Sequence, residues 1–303
     1  FITWKTSFEK MNKDYSSDAF DVFLDNRSVI SRRLAEKYNN STGVKNNYFQ
    51  GYGATSQQVL MYSFLSAYSG KNSNSVPLKT FPEIPKPNWR ITYDGLSKIK
   101  FLKKFFKTIT LAHTYRSSYS FSYTNNLLSG LKEAGNPFVT DANDDFIFYE
   151  QINSVSISEQ YSPLLKVDVT LQNNLQFNIE IKKDRNLSMS FANNQLTEIN
   201  GNELSAGTGY RFKDLVLKNP FGKSKSKKSL KSDLNVKVNF SVRNNLAVIR
   251  KIAEAVTQPT AGQKVYSLKM FADYVLTQRV SARLFYDWVF TDPRISIIFK
   301  SSN

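Results

Sequence analysis

His113 is the only histidine in the 303 residues, and there is no cysteine. An imidazole works as a general base when a carboxylate or similar group orients it. His113 instead alternates with Leu111 and Tyr115, and no Asp or Glu stands at strand spacing to hold its ring, so it reads as a packed or interfacial histidine. The missing cysteines remove disulfides, thiolate metal sites and sulfur nucleophiles together, and leave the compartment open. Asp141-Ala142-Asn143-Asp144-Asp145 opens like a calcium-binding loop, but Phe146 stands where the turn glycine belongs and Ile152 where the bidentate glutamate belongs. Gly207 and Gly209 sit inside an alternating segment, where they read as permitting close packing or a bend rather than cradling phosphate. These residues predict no enzyme, no metal and no cofactor.

Charge is the next candidate for function. The net charge is +16, and 11 of it lies in two stretches: five lysines without an acid from Lys98 to Lys107, and seven lysines against Asp214 from Lys213 to Lys231. Neither patch comes with a recognition helix or a stacking platform, so nucleic acid is not expected as a partner. Basic segments at a membrane or facing acidic headgroups fit as well. In the first stretch Phe101, Leu102, Phe105 and Phe106 share one helical face flanked by lysines, which predicts a short amphipathic surface helix near 98–107. In the second, Lys223, Lys225, Lys227, Lys228 and Lys231 predict a basic loop.

The elements around these residues divide near Pro87. Residues 1–87 read as a helical and loop-rich soluble segment. Ser28 is placed to cap a helix carrying Val29, Ile30, Leu34 and Tyr38, and a second helix starts near Ser56 and stops at Gly70. Pro77, Pro82, Pro85 and Pro87 then mark a stiff connector. The chain opens on Phe1-Ile2-Thr3-Trp4, without initiator Met or signal peptide, and reads as a mature chain or a fragment of something larger.

From residue 88 to 303 the period is two. Ile109, Leu111, His113, Tyr115, Ser117, Tyr119, Phe121 and Tyr123 occupy one face, with Thr, Ser and Arg on the other. The same alternation recurs in segments built on Val155, Leu165, Leu175, Leu187, Leu204, Leu234, Leu246, Tyr266, Val280 and Ile295, about twelve strands in all with Trp89–Tyr93 and the long one. Asn173-Asn174, Asp184-Arg185-Asn186, Asn244-Asn245 and Thr277-Gln278-Arg279 read as hairpin turns, so connectivity is up-and-down.

A one-faced sheet hides its apolar side against another sheet or against lipid. No run of about 18 apolar residues is present, so no α-helix is expected to span a bilayer. Aromatics near strand ends, namely Trp89, Tyr93, Tyr119, Phe121, Tyr123, Tyr286 and Trp288, suit lipid-interface girdles, and the opposite face is polar enough for a watery lumen. The expected fold is therefore all-β: an antiparallel up-and-down transmembrane β-barrel wall of about twelve strands of a larger barrel. The alternative is a surface-located structural or adhesive β-sandwich. If the chain leaves its last strand on the periplasmic side, Thr277–Arg279 is a periplasmic turn, the Lys213–Lys231 loop is extracellular, and an even count returns the N-terminal segment to the periplasm.

Several stretches carry a resemblance. Pro85-Lys86-Pro87-Asn88-Trp89-Arg90-Ile91-Thr92-Tyr93-Asp94-Gly95-Leu96, Glu159-Gln160-Tyr161-Ser162-Pro163-Leu164 and Gly207-Thr208-Gly209-Tyr210-Arg211-Phe212-Lys213-Asp214 are the most specific. Ser241-Val242-Arg243-Asn244-Asn245, Gln258-Pro259-Thr260-Ala261-Gly262-Gln263-Lys264 and Phe285-Tyr286-Asp287 add to them. In these the chain resembles the C-terminal part of the SprA/Sov family, the outer-membrane translocon of the type IX secretion system of Bacteroidetes. The resemblance implies a very large single-chain barrel, of the class reaching about 36 strands, that passes folded cargo to the cell surface and is linked to gliding motility. It also implies a lateral opening, a PorV-type shuttle barrel and a periplasmic plug protein as partners, besides the remainder of the same barrel chain, secreted cargo, membrane lipid and lipopolysaccharide.

Overall fold

A computed structural model of the chain describes residues 4–9, 11–41, 43–80, 87–127, 139–216, 231–277 and 280–295. The N-terminal segment is a small helical layer. After the single turn α1 (Trp4–Ser7) comes α2 (Asp18–Tyr38), whose N-cap Ser17 accepts the Phe20 amide and whose first turn carries Asp18 and Asp21 against the positive helix end. Ser28 caps nothing: it lies mid-helix and donates to the Asp25 carbonyl. Helix α2 begins eleven residues before the expected start because Phe20 and Phe23 extend the buried stripe of Ile30 and Leu34 toward the N-terminus. A two-residue hairpin follows, β1 (Val44–Lys45) and β2 (Tyr48–Phe49), and then α3 (Gln57–Ser69), bounded by Ser56 and by Gly70 with φ +63° as its sequence indicates. Helix α3 is buried from Gln58 to Tyr68, so it forms the centre of the layer rather than its surface.

The remainder is one antiparallel sheet of eight strands in chain order: β3 (Trp89–Tyr93), β4 (Phe106–Asn125), β5 (Glu150–Leu171), β6 (Leu175–Ser190), β7 (Gln195–Val216), β8 (Lys231–Lys251), β9 (Val256–Thr277) and β10 (Val280–Ile295). The expected up-and-down meander is present, but among the described residues its strands number eight instead of about twelve. Asp184-Arg185-Asn186 and Asn244-Asn245, expected as turns, lie inside β6 and β8, and the segments around Val155 and Leu165 are one strand with a register shift between Tyr161 and Leu165. Ile295 ends β10; the rest of the expected last strand, 296–299, lies outside the described residues, as do Gln278 and Arg279 of the last turn. With fewer, longer strands, the β9–β10 turn and the open end of β7 and β8 fall at the same end of the sheet, not at opposite ends as expected. The helix near 98–107 is also shorter. A 3-10 turn (Gly95–Lys98) leads to α4 (Lys100–Lys103), and Phe106 is already in β4.

The helical layer is not an independent domain, because the sheet supplies its floor. Ile152, Val155, Ile157, Leu187, Met189, Leu196 and Ile252 form one buried cluster with Phe23, Leu34, Leu60, Phe64 and Tyr68 of α2 and α3, and Tyr119 and Phe121 pack against it. Every one of these sheet residues lies near the end where β4 meets β5, β6 meets β7 and β8 meets β9. The core therefore crosses the Pro87 boundary.

One glycine anchors the loop between the layer and the sheet. Gly51, at φ +85°, accepts the Phe146 amide at 2.9 Å, and a Cβ there would stand 2.0 Å from the Phe146 ring. Gly51→Ala is expected to cost more than about 2 kcal/mol, since neither the left-handed backbone nor a ring packed on Tyr52 yields cheaply. Chemical unfolding followed by near-UV circular dichroism reads this.

Candidate functional site

The apolar side chains of the sheet line up in rows that run across the strands. Leu165, Ile181, Leu204, Val242, Tyr266 and Phe290 are consecutive cross-strand partners from β5 to β10. The next row is Val167, Ile179, Ala206, Phe240, Leu268 and Trp288, and the next Val169, Phe177, Thr208, Val238, Met270 and Tyr286. Leu175, Tyr210, Val236, Ala272 and Leu284 form a fourth row, and Phe212, Leu234, Tyr274 and Ala282 a fifth. From Leu204 to Phe212 the belt covers eight residues of rise, about 26 Å along the strand. Much of it is open: Ile179 is 52% exposed, Leu204 52% and Leu284 76%.

The other face of the same strands is polar and cross-linked. Arg243 bridges Asp184 at 3.1 Å and Glu203 at 3.4 Å; Lys182 bridges Glu203 and Glu180, each at 3.5 Å. Arg211 pairs with Asp233 and Arg283 with Asp273 between adjacent strands. Gly207 belongs to this face. Its missing side chain leaves room for the Asn178 and Asn239 carboxamides, whose oxygens stand 2.2 and 2.1 Å from where a Cβ would be. Close packing, not phosphate binding, explains that glycine.

Beyond the belt, toward the helical layer, the apolar face changes character within one row. Tyr161, Lys183, Asn202, Asn244, Lys264 and Asp292 follow one another across β5 to β10 in direct register. Further on come two buried ion pairs. Glu159 and Arg185, direct cross-strand partners, meet at 3.1 Å; Arg250 reaches Glu198 at 2.8 Å. Burying such charges costs several kcal/mol per ion unless they are paired and hydrogen-bonded, and the N-terminal segment and β4 supply further partners. Ser7 Oγ donates to Glu159 at 2.5 Å and Tyr115 Oη at 2.7 Å, while Arg185 donates to the Thr6 carbonyl at 2.7 Å. Arg250 donates to the Tyr15 carbonyl at 2.7 Å and lies over the Phe20 ring. The two pairs clamp α1 and the entry to α2 onto the sheet.

The expected site residues separate. Tyr286 and Trp288 are in the open belt. Trp89 stacks on Tyr115 at 4.6 Å beside the polar row, and Tyr93 and Tyr123 are exposed. Tyr119 and Phe121, expected at a lipid interface, lie under the helical layer, with Tyr119 Oη donating to the Thr80 carbonyl. Phe101 and Phe105 are exposed and touch edge to face, Leu102 is half-buried, and Phe106 pairs with Leu171. Lys223, Lys225, Lys227 and Lys228 lie outside the described residues; Lys231 is the first residue of β8. His113 Nδ1 donates to the Leu164 carbonyl at 2.6 Å, which makes it a tether between β4 and β5.

The Asp141 loop is held by its own backbone. Asp141 accepts the Asn143 and Asp145 amides, and Asp145 accepts the Gly53 amide at 2.5 Å. Among the described residues no group of three or more His, Cys, Asp or Glu side chains is placed to hold a metal ion. No protein-family model matches the chain, and no curated protein matches it.

The sequence reading missed the polar row and both ion pairs. Their signal was there as an interruption: Lys183 and Lys264 break the apolar alternation at one height and Glu159 and Arg185 at another, while Glu198 and Arg250 break it on adjacent strands one row apart. Register alone reveals that the heights match.

Two expectations follow. Arg185→Leu leaves the Glu159 carboxylate buried without its cation, and the loss is expected to be about 3–5 kcal/mol, with early protease cleavage around Thr6 to Glu9. Replacing both partners, Glu159→Leu with Arg185→Met, recovers much of it. For Asp145, burial first, and then Asp141 and Asp144, push the carboxyl pKa up. A raised value in the folded state means that stability is greatest at acid pH and falls as pH rises through that value. Asp145→Asn keeps an acceptor for Gly53 and is therefore expected to be more stable than the parent at pH 7, with the gap closing by about pH 3. Thermal midpoints at the two pH values check the sign.

Proposed function

We propose that this chain is a stretch of the wall of an outer-membrane β-barrel, its apolar belt facing lipid and its polar face a water-filled lumen. The observation that carries the reading is the belt itself: five registered rows, about as tall as the roughly 25 Å apolar band of such barrels, open to the outside on one face only. A soluble protein rarely leaves so large an apolar surface uncovered. Strands of 20 residues and more exceed the span and run on beyond it, into the region where the helical layer packs. Strand β10 adds a second argument. Its side chains are exposed on both faces, with Phe285 70% exposed on the polar side, and no described strand pairs with its outer edge, so it calls for a neighbouring strand.

Eight strands closed on themselves make a narrow barrel, so passage of folded proteins belongs to a larger one. With the resemblance noted above, the particular reading is the C-terminal part of the protein-conducting SprA/Sov-type translocon of the type IX secretion system, taking folded cargo to the cell surface. The rest of that barrel, a PorV-type shuttle barrel, a periplasmic plug, lipid and lipopolysaccharide are its partners. No covalent chemistry is assigned to it. Since β3 to β10 is an even count, the helical layer and the end of β10 share one side of the membrane.

The test is solubility and gel behaviour. The purified chain is expected to require detergent, and its folded form to migrate differently from the boiled form. A chain that is monodisperse without detergent, with the belt protected from hydrogen exchange by a second sheet, overturns the barrel and favours the adhesive sandwich.

A further inference from the structure

We infer that the polar row Tyr161, Lys183, Asn202, Asn244, Lys264 and Asp292 is a seat for anionic lipid headgroups, held between the apolar belt and the helical layer. The inference rests on the lipid-facing reading of the belt. Geometry places the row: it is in register with, and one row beyond, the line Leu165, Ile181, Leu204, Val242, Tyr266 and Phe290. Where acyl chains cover the belt, the phosphate region lies at this height. Each lysine offers one headgroup phosphate an ammonium group; the two stand three strand spacings apart, about 14 Å, with the Asn202 and Asn244 carboxamides between them, while Tyr161 is buried at the end of the row.

The two lysines are positioned but uncommitted. Lys183 Nζ lies over the Phe8 ring at 4.7 Å, and Lys264 Nζ over the Tyr266 ring at 4.9 Å. Among the described residues neither lysine has a carboxylate within ion-pair distance. Glu159 and Glu198, the acids nearest Lys183, are taken by Arg185 and Arg250, and Lys264 leans on Tyr266 rather than bridging Asp292 across the strand. Above the row Phe8, 48% exposed and packed on Tyr161 at 5.1 Å, closes the seat with an aromatic edge. The helical layer thus stands on the outer face of the wall, where its underside meets headgroups, and not in the lumen.

The experiment uses two single-tryptophan forms of the chain, keeping Trp288 or Trp89 with Trp4 and the other tryptophan replaced by Phe, reconstituted in bilayers of phosphatidylcholine with phosphatidylglycerol, either lipid carrying brominated acyl chains that quench tryptophan. Trp288 reports on lipid beside Lys264, and Trp89 on lipid near Lys183. Quenching by both brominated lipids, with phosphatidylglycerol favoured about fivefold per lysine at low salt and this preference lost in Lys183→Gln with Lys264→Gln, is the expected result. The Lys183→Arg with Lys264→Arg variant should keep it, which separates charge from folding. Equal quenching by the two lipids, or a preference that survives the glutamines, overturns the headgroup seat and leaves the belt reading intact. Trp288 quenched by neither lipid overturns both.

Discussion

One face of the sheet is apolar in two halves parted by a polar row and two ion pairs, and the helical layer covers only one of the halves. Everything else in the molecule answers to that imbalance. Under the layer, Val155, Ile157, Leu187, Met189 and Leu196 are buried as in any globular core. Along the same strands and on the same face, Ile179, Leu204 and Phe240 are left open. An apolar side chain gains roughly 1.5–3 kcal/mol from full burial, so a belt of more than twenty such positions is a large deficit unless lipid or protein covers it. The continuity of the strands is what forces the two environments to share one face: side chains two residues apart cannot change sides.

The boundary between the two halves is electrostatic. Glu159 with Arg185 and Glu198 with Arg250 sit where neither a dry core nor an acyl-chain region tolerates an unpaired charge. Thr6, Ser7 and Tyr15 add hydrogen bonds to them from the N-terminal segment. The pairs add little net stability relative to apolar replacements, but they are demanding about geometry. A helical layer displaced along the sheet would strand two guanidinium groups. The clamp therefore holds the layer at one height above the belt, next to the row of Lys183 and Lys264.

Much of the fold was legible in the sequence because alternation and turn chemistry are local. The period of two after Pro87, the Asn173-Asn174 turn with Asn174 in the left-handed region, and helix α3 between Ser56 and Gly70 needed no tertiary information. The errors were local as well. Asp184-Arg185-Asn186 has the composition of a turn, yet Asp184 answers Arg243 on one face and Arg185 answers Glu159 on the other, so the strand runs through. Asn244-Asn245 misleads in the same way, with Asn245 accepting from Arg243. Tyr119 and Phe121 carry the aromatic signature of a lipid interface, but the helical layer lies over them.

By itself the sequence determined which segments are helical and which are strands, the single apolar face and the meander order. These depend on residue type and on spacing within one strand or helix. Tertiary structure alone decided how many strands there are, where the belt stops, and which charges face each other, because those depend on register between strands. A polar residue within a strand reads as a break until its partner on the next strand is known, and the rows on which the proposed function rests exist only across strands.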